Sequence, residues 1–220
     1  RNPARIWRDA EWRGSMALLV GSSVFIAGLL LFKGTMNDPL DTLRVALFNV
    51  VSIGSTTGYA TVDYTTWPVF APLYMIMLSG IATSAGSTGA GIKMARMVIL
   101  VKQARREMRR IVHPRAVHPV TLGGHTVENS TIFSVLGFML VYGGTIIGLT
   151  MVLLLTDMPF DTAFTAIVAS VNNMGPGLNE VGPAGNFAGL TDFQTWICTF
   201  AMLAGRLELL TVFVTAAISA

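Results

Sequence analysis

Four long runs of the chain lack charge or nearly so. Residues 15–32 (SMALLVGSSVFIAGLLLF) form an uncharged stretch of 18, long enough for a membrane-spanning helix. Residues 69–85 form a second run, which weakens into Gly, Ser and Thr before Lys93. Residues 130–156 form a third, in which Gly137, Gly143, Gly144 and Gly148 are spaced for close helix contact. Residues 193–220 form a fourth, interrupted by Arg206 and Glu208. Two shorter apolar stretches lie between these runs. Residues 43–53 (LRVALFNVVSI) lead into Gly54, and residues 163–171 (AFTAIVASV) lead into Asn172 and Asn173. Both are too short to cross a bilayer. A half-length helix followed by a glycine-bearing polar loop predicts a re-entrant segment, because non-helical backbone at membrane depth is tolerated only against protein or a water-filled path.

The two halves align. Setting Gly58 against Gly175, an offset of 117, places Ala46 and Leu47 opposite Ala163 and Phe164. Further on, MLSG ending at Gly80 matches MLAG ending at Gly205, at an offset of 125. The added residues fall in the outer loop around 179–189, where insertions are cheap. Each half therefore reads as helix, short helix plus loop, helix.

Composition agrees with a membrane protein. The chain has 220 residues, 52% hydrophobic and 12% charged, with a mean hydropathy of +0.61. Soluble domains carry about a quarter charged residues. Twelve of the fifteen Lys and Arg lie in residues 1–13 and 93–115. Those stretches are expected to be cytoplasmic, with both termini inside. Asp38, Asp41, Asp63, Asp157, Asp161, Glu180 and Asp192 then mark the outer face. Such clustering does not suit nucleic acid. Cys198 is the one cysteine, so no internal disulfide forms. His113, His118 and His125 lie in a polar linker with no converging carboxylates, which reads as linker rather than metal site. The opening residues look like the inside of a longer protein, and a fragment is expected.

The loops suggest cation chemistry. Backbone carbonyls that replace an ion's water shell require φ/ψ values open mainly to Gly. Gly58 follows Ser55, Thr56 and Thr57 and precedes Tyr59; Asn173, Met174, Gly175 and Pro176 form the counterpart. The negative end of each short helix favours a cation at its loop. Residues 80–93 (GIATSAGSTGAGIK) only approximate a phosphate-binding loop, since Ile92 parts Gly91 from Lys93 and Met94 stands where Ser or Thr belongs. They read either as a break in the helix above a wet cavity or as a small-residue helix packed on a neighbour. Arg206, within the last run, is expected to face a cavity or partner. Lys102, Arg105, Arg106, Arg109 and Arg110 share one helix face, suited to anionic lipid or a cytosolic partner. Asn129 matches a glycosylation pattern but falls inside, and is expected to cap the third long helix. A membrane-embedded enzyme needs convergent His, Asp or Glu within the spans, and their interior offers only the charged Arg206 and Glu208, which argues against one. A pore for water or a small neutral solute, built from half-helices, is the alternative; it lacks paired Asn-Pro-Ala loops.

These motifs resemble the Trk/Ktr/HKT superfamily of potassium transporters, most closely the bacterial TrkH-like pore subunits. The matching segments are residues 50–61 (VVSIGSTTGYAT), 86–96 (GSTGAGIKMAR), 172–178 (NNMGPGL) and 205–208 (GRLE). The resemblance implies an all-α polytopic fold holding the third and fourth of four helix–pore-loop–helix repeats around a pseudo-fourfold axis. It places a cytoplasmic segment at residues 1–14, one repeat at 15–92, a basic helix and linker at 93–127, and a second repeat at 128–220. It implies a potassium filter at Thr56, Thr57, Gly58, Tyr59, Asn173, Met174, Gly175 and Pro176. It also implies an intramembrane gating loop at 80–91, with Gly80, Gly86, Gly89, Gly91 and Arg206 as gate residues. No cofactor is implied beyond K+ as the transported ion. Further implied are the bacterial inner membrane, a homodimer of pore subunits, and a TrkA-like cytosolic nucleotide-binding subunit on the basic helix. The family's gating loop usually has more Gly and a Cys; Ala82, Ser84, Ala85 and Ala90 stand there in this chain.

Overall fold

The structure, a computed structural model, describes residues 10–84, 90–113, 119–122 and 125–207. It is mostly helical. Helix α1 (Ala10–Phe32) and α2 (Pro39–Gly54) pack along each other, and a 3-10 turn at Tyr64–Thr66 leads into α3 (Phe70–Ser79). After the break come α4 (Met94–Val112), α5 (Asn129–Leu154), α6 (Phe160–Val171) and α7 (Asp192–Arg206). Helix α6 packs against both α5 and α7. Of the described helices, α1 and α5 are long and apolar enough to cross a membrane.

Local chemistry sets the helix starts. Pro39 sits in the first turn of α2, where its missing N–H costs nothing, and the Asp38 carboxylate accepts from the Leu40 N–H at 3.0 Å. At α7, Thr191 and Gln194 form a reciprocal capping box. One apolar core runs through both halves, with Ile26, Leu30, Val50, Ile53, Met75 and Ile167 fully buried.

Several expectations need correction. The second run is helical only over Phe70–Ser79, so the chain leaves the helix at Gly80 and the continuous small-residue helix does not form. The fourth helix ends at Arg206 with Leu207 as its cap. Arg206 is the last residue of this helix, and Glu208 falls outside the described residues. Asn129 does not cap α5. Glu128 takes the cap position without a side-chain bond to the helix backbone, accepting instead from the Ser130 hydroxyl at 3.2 Å, and Asn129 accepts from Arg106 at 3.2 Å. Gly137, Gly143, Gly144 and Gly148 face open space within this chain rather than a neighbouring helix. The linker also departs from all-α: Thr121–Leu122 and His125–Thr126 form a two-residue antiparallel ladder.

Candidate functional site: two loops built on one backbone turn

Each short helix ends in the same turn. After α2, the Thr56 N–H bonds the Ile53 carbonyl at 3.0 Å and the Thr57 N–H bonds the Ser52 carbonyl at 2.8 Å. After α6, the Asn173 N–H bonds the Ser170 carbonyl at 3.0 Å and the Met174 N–H bonds the Ala169 carbonyl at 2.9 Å. This is the Schellman pattern, which satisfies the last carbonyls of a helix with a left-handed residue just past its end. That residue is Thr56 (φ 58°) in one loop and Asn173 (φ 53°) in the other, and two residues later Gly58 (φ 83°) and Gly175 (φ 106°) are left-handed too. All of these pairs stand 117 residues apart, the offset read from the sequence. A β-branched residue at positive φ is strained, so Thr56 is held there by its surroundings.

Both loops are pinned back onto their helices. The Asn49 side chain accepts from the Thr61 N–H at 3.2 Å and donates to the Thr61 hydroxyl at 2.9 Å. The Thr165 hydroxyl accepts from the Leu178 N–H at 3.0 Å, and Thr61 and Leu178 again differ by 117. Sequence reasoning missed Asn49 and Thr165. The available signal was a polar residue within an otherwise apolar half-helix.

Between these clamps the N–H groups turn back onto the helix ends and the carbonyls do not. Among the described residues, no carbonyl of 55–59 or 172–176 accepts a hydrogen bond. The loops also meet. Gly58 lies against the Met174 carbonyl and the Pro176 ring, and Gly175 against Gly58. Both glycines, with Tyr59, Pro176 and Met202, line one cavity of about 380 Å³. Thr57, Tyr59 and Gly175 are exposed, Thr56, Gly58, Asn173 and Pro176 half-buried, and Met174 buried. Asn173 donates to the Met202 carbonyl at 3.0 Å, tying its loop to α7.

The other expected site residues separate into groups. Gly80 and Gly91 come together, since a Cβ on Gly91 would stand 2.9 Å from the Gly80 carbonyl oxygen. Gly86 and Gly89 lie outside the described residues. Gly205 packs against the Val171 carbonyl where α7 passes the end of α6, and Arg206 is exposed beside it. The basic face of α4 is not uniform. Lys102 donates to the Thr121 carbonyl at 2.6 Å, holding the small ladder, and Arg106 bonds Asn129. Arg110 lies 3.9 Å from Glu107, while Arg105 and Arg109 are exposed. Several of the acidic residues also have local duties. Asp38 and Asp63 cap helical turns, and Asp161 accepts from Asn179.

Comparison with known proteins gives the family. The sequence model of TrkH, described as a cation transport protein, matches residues 22–220. The chain is 36% identical over 213 residues to the Trk system potassium uptake protein TrkH of Vibrio parahaemolyticus, covering 97% of this chain and 44% of that protein. It is 31% identical over 204 residues to TrkG of Escherichia coli, covering 92% and 41%. The crystal structure of the potassium transporter TrkH from Vibrio parahaemolyticus superposes with a TM-score of 0.90 at 36% identity, over 97% of this chain and 45% of that one. The chain belongs to the TrkH cation transport family, a family of membrane transporters. It spans less than half the length of the curated relatives it matches.

Proposed function

We propose that this chain contributes two of the loops that form a potassium-selective filter, and so takes part in potassium uptake across the bacterial cytoplasmic membrane. One observation carries the reading. Two loops with one backbone path meet at Gly58 and Met174, and their carbonyls at 55–59 and 172–176 accept no hydrogen bond among the described residues. Unsatisfied carbonyls away from bulk water are costly unless something replaces the missing donors. A dehydrated cation does that, and rings of carbonyls are how potassium filters take the place of the ion's water shell. The C-terminal ends of α2 and α6 lead straight into the loops, so both helix dipoles add negative potential there.

Two loops complete half a ring. Two further repeats, outside this chain, supply the rest around a pseudo-fourfold axis. Residues 80–91 and Arg206 act as the gate on the cytoplasmic side of the filter. The exposed Arg105 and Arg109, with Arg110, receive a cytosolic nucleotide-binding subunit or anionic lipid, while Lys102 and Arg106 hold the ladder and α5 in place. The pore subunits pair as homodimers, and both ends of this segment face the cytoplasm.

The test is growth and ion uptake in potassium-starved cells lacking their own uptake systems. The full-length protein should restore potassium uptake, and Gly58→Ser should remove its preference over sodium. Cells with the protein in the membrane and no uptake of either ion would contradict the reading.

A further inference from the structure

Behind the second loop, three polar side chains meet in the core. Asn172 follows the last turn of α6 and is fully buried. Its Oδ1 accepts from the Tyr142 hydroxyl of α5 at 2.8 Å, and its Nδ2 donates to the Ser79 hydroxyl of α3 at 2.9 Å. The Ser79 hydroxyl in turn donates to the Ile76 carbonyl at 2.6 Å. The amide is therefore used as acceptor and donor at once, by helices from both halves of the chain.

The same amide abuts the neck of the break between α3 and α4. The Gly80 carbonyl accepts from the Ile92 N–H at 2.7 Å and from the Lys93 N–H at 3.3 Å, which draws the two sides of the break together. A Cβ on Gly91 would stand 3.1 Å from Asn172 Oδ1, and one on Gly80 would stand 3.1 Å from the Tyr142 hydroxyl. The neck is glycine on both sides because the amide and the phenol fill the space that side chains would need. On its other side Asn172 joins directly to Asn173, the left-handed residue that opens the second loop. The position 117 residues earlier, Ser55, bonds among the described residues within its own turn, to Val51, Ser52 and Thr57. The cross-helix link therefore belongs to the second loop.

We propose that Asn172 is a positioning residue that couples the second filter loop to the neck at Gly80 and Gly91. The inference rests on the filter reading above. Moving the neck relative to α5 and α6 either breaks the Asn172 bonds or drags the amide, and dragging it turns the peptides of Asn173 and Met174. A carboxylate cannot donate to Ser79 while that hydroxyl donates to Ile76, and an apolar isostere makes neither bond.

The experiment measures potassium and sodium flux through the full-length protein in phospholipid vesicles, together with its melting temperature. Asn172→Leu should narrow the potassium-to-sodium flux ratio on the order of tenfold, the scale set by losing one or two hydrogen bonds. Tyr142→Phe keeps the ring and removes one bond, leaving the buried Asn172 Oδ1 without that donor; it should narrow the ratio by a smaller factor and lower the melting temperature less than Asn172→Leu does. It decides the matter if Asn172→Leu fails to reach the membrane. A selective wild type whose Tyr142→Phe and Asn172→Leu forms keep the full ratio, or lose flux without losing preference, overturns the coupling. An unselective wild type overturns the filter reading, and the coupling falls with it.

Discussion

Gly58 lies so close to Met174 that a Cβ placed on it would overlap the Met174 carbonyl oxygen. That contact joins the two loops. Gly58 also has φ 83°, so any other L-residue there is strained in its own backbone as well. Gly58→Ala should therefore disturb both loops. The expected result is a lower melting temperature and less protein in the membrane, read by a thermal melt and by membrane immunoblotting.

Gly175 is the counterpart in sequence but not in packing. Its Cβ would meet only the Gly58 Cα, at 3.9 Å. Gly175→Ala therefore costs backbone strain alone, of order 1–2 kcal/mol for a left-handed residue. It should fold better than Gly58→Ala and still lose preference among cations, because its peptide no longer sits at φ 106° without strain. Comparing melts and flux ratios of the two variants tests this asymmetry.

Thr56 holds φ 58° with a branched Cβ. Asn tolerates that conformation better, as Asn173 does at the matching position. Thr56→Asn should raise stability by about 1 kcal/mol, seen as a higher melting temperature of the purified protein.

Tyr64, in the connection after the first loop, is fully buried, and its hydroxyl has no hydrogen-bond partner among the described residues. Removing an unsatisfied buried hydroxyl is close to neutral or stabilising. Tyr64→Phe should melt at or above the wild-type temperature. Burial first, and then the Asp63 charge, push the phenol well above its ordinary value of 10.0. The folded state thus holds this proton more tightly than the unfolded chain. Wild-type stability from this group is present below pH 10 and is lost as pH rises further, and Tyr64→Phe should lack that alkaline loss.

The short helices and the 117-residue offset were legible because both depend on local chemistry. An apolar half-helix has a length, and a left-handed turn asks for glycine at 58 and 175. The remaining features depend on partners distant in the chain. Asn172 reaches Ser79 across 93 residues and Tyr142 across 30, and no local pattern announces either bond. Hydropathy alone could not place the end of α7, because the residues after Arg206 stay mostly apolar. The basic face of α4 was visible as a stripe. That Lys102 and Arg106 serve the ladder and α5 depends on a hairpin whose two-residue strands carry too little pattern to read.

On the proposed function, the loops meeting at Gly58 and Met174 select potassium by their carbonyls. The most direct measurement is the ratio of potassium to sodium flux through the full-length protein in vesicles, with and without Gly175→Ala. The wild type should pass potassium in clear preference to sodium, and the folded variant should lose that preference. Equal fluxes in the wild type, or an unchanged preference in the variant, would contradict it.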